Sequence, residues 1–358
     1  MTWFLIFLIP FIIALLSTPL VRLFAFKVKA VDIPSERKVH HNPMPRLGGL
    51  AIFVAVTVAL RLFTDLTEGP LLWIYLGSII IITLGIVDDI KPLSAKVKLL
   101  FQTLAAGVVV YGGITIDFIN IPLTDRVLDF GPIGSYIITI LWIVGITNAL
   151  NLIDGLDGLA TGVASISLAS IFVMALIMGN TDIMTLTLII LAAALGFLVH
   201  NFYPAKIFLG DSGSLYLGFM LATISILGFK NIAFVSFIFP IVILAVPIFD
   251  TLFAIIRRYR QGTKITGADR GHLHHCLLTL GFSHRKTVLI IYAISAIFGV
   301  AAIFITQAGF WIGLVVIVIL LLLTIIGIEL TGIIGETRKP LTNLIITIRN
   351  SFTRNNKE

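Results

Sequence analysis

Charge is what this sequence has least of. Asp, Glu, Lys and Arg make up 12% of its 358 residues, against roughly 25% in an ordinary soluble domain. Hydrophobic residues make up 58%. Too few polar side chains remain to cover a water-facing surface, so lipid is the expected solvent for much of the chain. Cysteine is nearly absent: Cys276 is alone, which excludes an internal disulfide. Alternating segments of about ten residues are also missing, which argues against a transmembrane β-barrel. The first apolar run, 3–21, has no charged segment before it and no small-residue cleavage site after it, so it is expected to be retained as a helix. No internal repeat or low-complexity tract stands out.

What is abundant is long apolar runs. They fall near 3–21, 47–63, 71–87, 98–113, 134–150, 160–178, 183–200, 213–230, 233–256, 287–306 and 309–329. Each approaches the ~20 residues that a helix needs to cross the hydrocarbon. The expected fold is an all-α polytopic membrane protein with about eleven transmembrane helices. With the N-terminus outside and the C-terminus cytoplasmic, 22 of the 25 Lys and Arg residues fall inside. The net charge of +7 is then a topological signal, and no nucleic-acid partner is implied. Segment 112–133 has room for a small outer β-hairpin. Residues 1–334 read as one membrane domain. Residues 335–358 read as a basic cytoplasmic tail, whose Leu341, Leu344, Ile345 and Ile348 suit an interfacial helix.

Under this topology the chemistry gathers on the inner side. Asp88-Asp89 ends one span. Adjacent carboxylates at a membrane boundary repel each other unless a cation or a catalytic role uses them; an acidic helix end facing water is the plain alternative. Asn148, Asn151, Asp154 and Asp157 recur every third residue, with Gly155, Leu156 and Gly158 between and beside them. On a helical path they share a face, and such oxygen ligands suit a hard ion such as Mg²⁺. A polar seam between helices is the alternative. The run Asn201 to Ser214 includes Phe208-Leu-Gly-Asp211-Ser-Gly and opens a span. A helix N-terminus with free N–H groups suits a phosphate, although Asp211 or Ser212 as a simple cap fits as well. Asp269-Arg-Gly-His272-Leu-His274-His275-Cys276 hints at zinc, but consecutive side chains diverge, and donation to phosphate oxygens fits better. Arg46, in Pro45-Arg-Leu-Gly-Gly, is either a phosphate partner or an inside anchor.

Together and in this order, these motifs resemble the polyprenyl-phosphate N-acetylhexosamine-1-phosphate transferase family, also called glycosyltransferase 4, over about residues 30–285. They look most like the bacterial branch that initiates teichoic acid or O-antigen synthesis. The sister branch, the phospho-MurNAc-pentapeptide transferases, usually shows three consecutive histidines then Trp-Glu; here Leu273 interrupts the histidines and Cys276 follows. The resemblance implies transfer of GlcNAc-1-phosphate from UDP-GlcNAc to undecaprenyl phosphate at the cytoplasmic face of a bacterial plasma membrane, with UMP released. It implies Mg²⁺, with Mn²⁺ as a substitute, and admits a homodimer. By matching position, Asp88, Asp89 and Asp211 are catalytic, and Asp211 with Asn151 carries the metal. Arg46, Lys98, Asn151, Asp154, Gly155, Leu156, Asp157, Asn201, Phe208, His272, His274 and His275 would bind substrates, with Phe208 stacking on uracil. A secondary transporter is the rival from another class, since it too would hold carboxylates in broken helices.

Overall fold

A computed structural model describes residues 2–32, 43–120, 127–229, 238–262, 271–308 and 310–332. The expected tail 335–358, and with it the interfacial helix, lies outside the described residues, as do Asp269 and Arg270.

The elements run in the order α1 (Thr2–Lys27), β1 (Val31–Asp32), β2 (Met44–Pro45), α2 (Gly48–Phe63), α3 (Gly69–Ile90), α4 (Ala95–Tyr111), β3 (Phe118–Asn120), β4 (Val127–Asp129), α5 (Gly131–Leu152), α6 (Leu159–Met178), α7 (Thr181–Asn201), α8 (Gly210–Phe229), α9 (Ile238–Ile243), α10 (Ala245–Arg260), α11 (Leu273–Thr279), α12 (His284–Gln307) and α13 (Phe310–Thr331). The chain is an all-α polytopic membrane protein. Eight of the described helices are long and apolar enough to span: α1, α3, α5, α6, α7, α8, α12 and α13. Of the other expected spans, α2 has 16 residues, and α4 carries Lys96 and Lys98 in its first turn.

Local sequence sets the helix starts. Pro70 and Pro132 sit in the first turns of α3 and α5, where a missing N–H costs nothing. Ser94 caps α4 and Asn180 caps α7, their side-chain oxygens accepting from Val97 and Ile183. Within the expected continuous span 233–256, the described residues from 238 on form two helices, α9 and α10, meeting at Leu244. Pro247 has no N–H to give to the carbonyl four residues back, so the ladder breaks there.

The expected hairpin forms: β3 pairs antiparallel with β4, Ile119 opposite Leu128. A second ladder, β1 with β2, was not anticipated.

Helix α8 lies at the centre, packed by α2, α3, α5, α6 and α7. It is the least apolar of the eight spanning helices and the most completely buried, while α13 is the most apolar and the least buried. In lipid this is the expected sorting. Apolar helices gain nothing by leaving hydrocarbon, so the interior goes to helices with small and polar residues that pack closely. Gly49 of α2 and Gly85 of α3 both lie against the backbone of Ser212, where a Cβ on either would overlap it. Three helix ends thus meet at the first turn of α8.

Candidate active site

A cavity of about 560 Å³ opens at the end of the bundle where α2 and α8 begin and where α5 and α7 end. Of the residues singled out from sequence, Arg46, Asn151, Asp154, Gly155, Leu156, Asp157, Asn201, Phe208, Asp211 and His275 line it. Asp88, Asp89, Lys98, His272 and His274 do not line it, and stand behind the wall or at its edge.

Asp211, in the first turn of α8, is the electrostatic centre. Lys98 Nζ donates to Asp211 Oδ2 at 2.8 Å and lies 3.3 Å from Asp88 Oδ2. Arg46 Nη2 lies 3.6 Å from Asp211 Oδ1 and 3.6 Å from Asp89 Oδ1, and its Nη1 is 3.7 Å from Asp32. Two cations therefore bridge four carboxylates. Asp88 Oδ1 also accepts from Leu93 N at 2.7 Å, which turns the chain from α3 into α4. Asp89 points elsewhere: its oxygens accept from the backbone N–H groups of Asp211 (2.9 Å) and Ser212 (3.0 Å). This corrects one expectation. The N–H groups of Asp211 and Ser212, expected from the sequence to be free for a phosphate, already serve an internal carboxylate.

The Asn-Asp series leaves its helix midway. Asn148 and Asn151 are on α5, whereas Asp154 and Asp157 follow in the turn before α6. Asn148 pairs with Gln102 of α4 and forms an interhelical seam. Asn151 Nδ2 donates to Ser214 Oγ of α8 at 2.8 Å, which turns its amide oxygen the other way. Asp157 accepts from Ala205 N at 2.9 Å and so ties the turn to the α7–α8 loop. Burial, then the Asp211 carboxylate, pushes Asp154 up to about 8.

Asn201 braces that loop with both ends of its amide. It accepts from Thr161 Oγ1 at 2.8 Å and donates to Ile207 O at 3.0 Å. Phe208 is clamped by its backbone, donating to Pro45 O and accepting from Gly48 N. Phe208 is thereby held at the cavity wall.

The histidine motif stacks against the Gly155 turn. His272 Nδ1 lies 2.7 Å from Asp250 Oδ2, and Leu273 N donates to Asp250 Oδ1, so Asp250 caps α11. His274 is buried against Gly155, where a Cβ would overlap its ring. Burial, then His275, pushes the His274 ring down to about 3, so it is neutral.

Comparison with known proteins accounts for this arrangement. A sequence model of glycosyl transferase family 4 matches residues 71–229. A Bacillus subtilis protein described as a probable undecaprenyl-phosphate N-acetylglucosaminyl 1-phosphate transferase is 47% identical over 337 residues, 94% of either chain. The chain belongs to glycosyl transferase family 4. Among other relatives, a decaprenyl-phosphate N-acetylglucosaminephosphotransferase of Mycolicibacterium smegmatis is 36% identical over 78% of this chain and 76% of its own. A phospho-N-acetylmuramoyl-pentapeptide-transferase of Staphylococcus carnosus is 30% identical over 86% and 97%.

This family 4 chain shows no preassembled group of three metal-ligating His, Cys, Asp or Glu side chains among its described residues. Asp211, Asp154 and Asn151 all line the cavity and are the residues that could offer oxygen ligands. That suits Mg²⁺, which takes one or two carboxylates and completes its shell with water and substrate phosphates. The sequence reading missed four residues. Asp32 and Tyr203 line the cavity. His284 lies on Tyr203, ring centroids 4.6 Å apart, and its Nε2 accepts from Asp157 N at 3.0 Å. Asp250 holds the histidine loop. His284 and Asp250 reach their partners over 127 and 22 residues, and no local pattern marks either pairing.

Proposed function

We propose that this protein transfers GlcNAc-1-phosphate from UDP-GlcNAc to undecaprenyl phosphate, releasing UMP, as a first membrane step of teichoic acid or a related envelope polysaccharide. The observation that carries the reading is that Arg46, His275 and residues of segments 151–157 and 201–211 line one cavity at the end of a membrane helix bundle, with Asp211 held between Lys98 and Arg46. A lipid acceptor and a nucleotide donor can meet only at such a boundary.

Asp211, with Asn151 and Asp154 beside it, would hold Mg²⁺, which when bound offsets the charge of the donor diphosphate. The protein's own groups do the rest. Arg46 and Lys98 are placed to donate to phosphate oxygens in exchange for carboxylates. Phe208 and Tyr203 offer aromatic faces for the uracil. The turn 154–157, tied to Ala205 and His284, fixes the floor. Basic residues concentrate at the same helix ends, which supports a cytoplasmic site by the positive-inside rule.

The Staphylococcus relative favours a second reading, a muramoyl-pentapeptide donor. The interrupted histidine motif, His272-Leu-His-His-Cys276, speaks against it. Transport fits less well, because transporter sites lie near the bilayer midplane and these carboxylates gather at helix ends. Purified protein offered undecaprenyl phosphate and a panel of UDP-sugars tests all three. We expect UMP release with UDP-GlcNAc, and a fall of at least ~10²-fold in Asp211→Asn. Turnover only with the muramoyl-pentapeptide donor, or none with any donor, refutes the proposal.

A further inference from the structure

Neighbouring residues on an α-helix diverge by about 100°, so the Asp88 and Asp89 side chains point in different directions. Asp88 faces Lys98 and Leu93 N. Asp89 has a side chain with no solvent exposure at all. It faces the first turn of α8 and takes the N–H groups of Asp211 and Ser212, one on each oxygen.

The first N–H groups of a helix have no partner within the helix, and a side chain just before the helix usually takes one of them. Leu209 precedes α8 and Gly210 opens it, and neither has a side chain able to cap. The cap comes instead from another helix, 122 residues away in sequence. The contact is built closely. Gly210 has φ +73°, and a Cβ there would lie 2.5 Å from Asp89 Oδ2. Gly85, one turn before Asp89, has Ser212 directly against it. The positive end of the α8 dipole and the Arg46 guanidinium at 3.6 Å add to the two hydrogen bonds.

We propose that Asp89 is a positioning residue: a cross-helix cap that locks the first turn of α8 and so aims the Asp211 carboxylate into the cavity. It neither touches substrate nor moves a proton. The adjacent carboxylates thus divide the work, with Asp88 on the lysine and Asp89 on the helix. This inference rests on the reading of Asp211 as the metal-bearing carboxylate.

The test uses full-length protein in nanodiscs with Asp89→Asn, Gly210→Ala and Asp211→Asn. An amide in place of the carboxylate keeps one acceptor and turns a donor toward a donor. Hydrogen exchange in peptides covering 209–215 reads the cap directly, with or without activity. We expect it to quicken at least ~10-fold in Asp89→Asn, as for loss of one charged hydrogen bond. We expect Mn²⁺ affinity, followed by paramagnetic resonance, to weaken at least ~10-fold in Asp89→Asn and also in Gly210→Ala, which pushes on the same contact from the other side. Unchanged exchange, or lost turnover with wild-type Mn²⁺ affinity, would overturn the proposal and make Asp89 a chemical participant. Should Asp89→Asn fail to fold, Gly210→Ala decides by the same two readouts. If Asp211→Asn binds Mn²⁺ as the wild type does, the metal reading fails, and the exchange result still judges the cap.

Discussion

Replacing Lys98 by Met should move two properties in opposite directions. Lys98 Nζ lies 2.8 Å from Asp211 Oδ2 and 3.3 Å from Asp88 Oδ2, with its side chain 25% exposed. A divalent cation arriving at Asp211 meets an ammonium already there. Two unit charges roughly 4 Å apart interact by about 4 kcal/mol at an effective dielectric of 20, so a dication would feel up to ~8 kcal/mol of repulsion. That is a ceiling, because a flexible, partly exposed lysine can swing aside. A residue of about 1.4 kcal/mol, one tenfold in affinity, is a conservative expectation. Lys98→Met should therefore bind Mn²⁺ at least ~10-fold more tightly. Turnover should nevertheless fall by ~10²-fold or more, because a donor to the developing phosphate charge is gone. Mn²⁺ titration by paramagnetic resonance and UMP release on one preparation read both. Weaker Mn²⁺ binding in Lys98→Met would mean that the lysine holds Asp211 in place and does not compete for it. That result would refute the exchange of counterions.

Other outcomes follow from the same geometry. Asp154, raised to about 8 by burial and the Asp211 carboxylate, is mostly protonated at pH 7. A cation should expel that proton, so Mn²⁺ affinity should rise with pH up to about 8 and level off above it. Calorimetry in buffers of different ionisation enthalpy should then show proton release at pH 7, and a buffer-independent heat would contradict this. Gly155→Ala places a methyl group against the buried His274 ring and should raise KM for the nucleotide donor ~10-fold; His274→Ala in the same chain should restore part of it, since the two share one clash. A cysteine at Leu128, exposed on β4, should react with an impermeant reagent from outside, while Cys276 should react only in opened cells; the reverse pattern would invert the topology. Labelled UMP should exchange into UDP-GlcNAc only when polyprenyl phosphate is present; exchange without it would require a covalent sugar-phosphate enzyme.

Much of this was legible because membrane sequences write their fold in composition. The apolar runs located the spanning helices, and the dipeptide and tripeptide spacings located the cavity wall, since Asn151, Asp154, Asp157, Phe208 and Asp211 all reached it. Three features were hidden for physical reasons. The α9–α10 break lies inside an apolar run, where hydropathy is blind to a missing hydrogen bond at Pro247. The β1–β2 ladder is two residues long and has no period to read. The division of labour at Asp88-Asp89 depends on which way two adjacent side chains turn and on a partner 122 residues distant. Asn201 reaches the cavity wall as well, and its amide has a second task that the motif does not reveal, joining Thr161 of α6 to Ile207 of the loop that carries Phe208.

These placements bear on how the phosphoryl group moves. A covalent route needs a carboxylate with an oxygen free to reach the donor's β-phosphorus. Asp89 is sealed behind α8 with both oxygens on backbone N–H groups. Asp88 gives one oxygen to Leu93 N and turns the other to Lys98, and neither lines the cavity. Asp211 does line it, but it is the carboxylate on which both cations converge. The lipid phosphate, by contrast, brings its own nucleophile. With a second pKa near 6 it is mostly dianionic at pH 7, so it needs alignment and relief from repulsion more than it needs a base. Lys98 is placed for that relief, sitting where the acidic helix ends of α3 and α8 meet the start of α4. The arrangement favours direct attack by the acceptor, with Asp88 setting the lysine and Asp89 setting the helix.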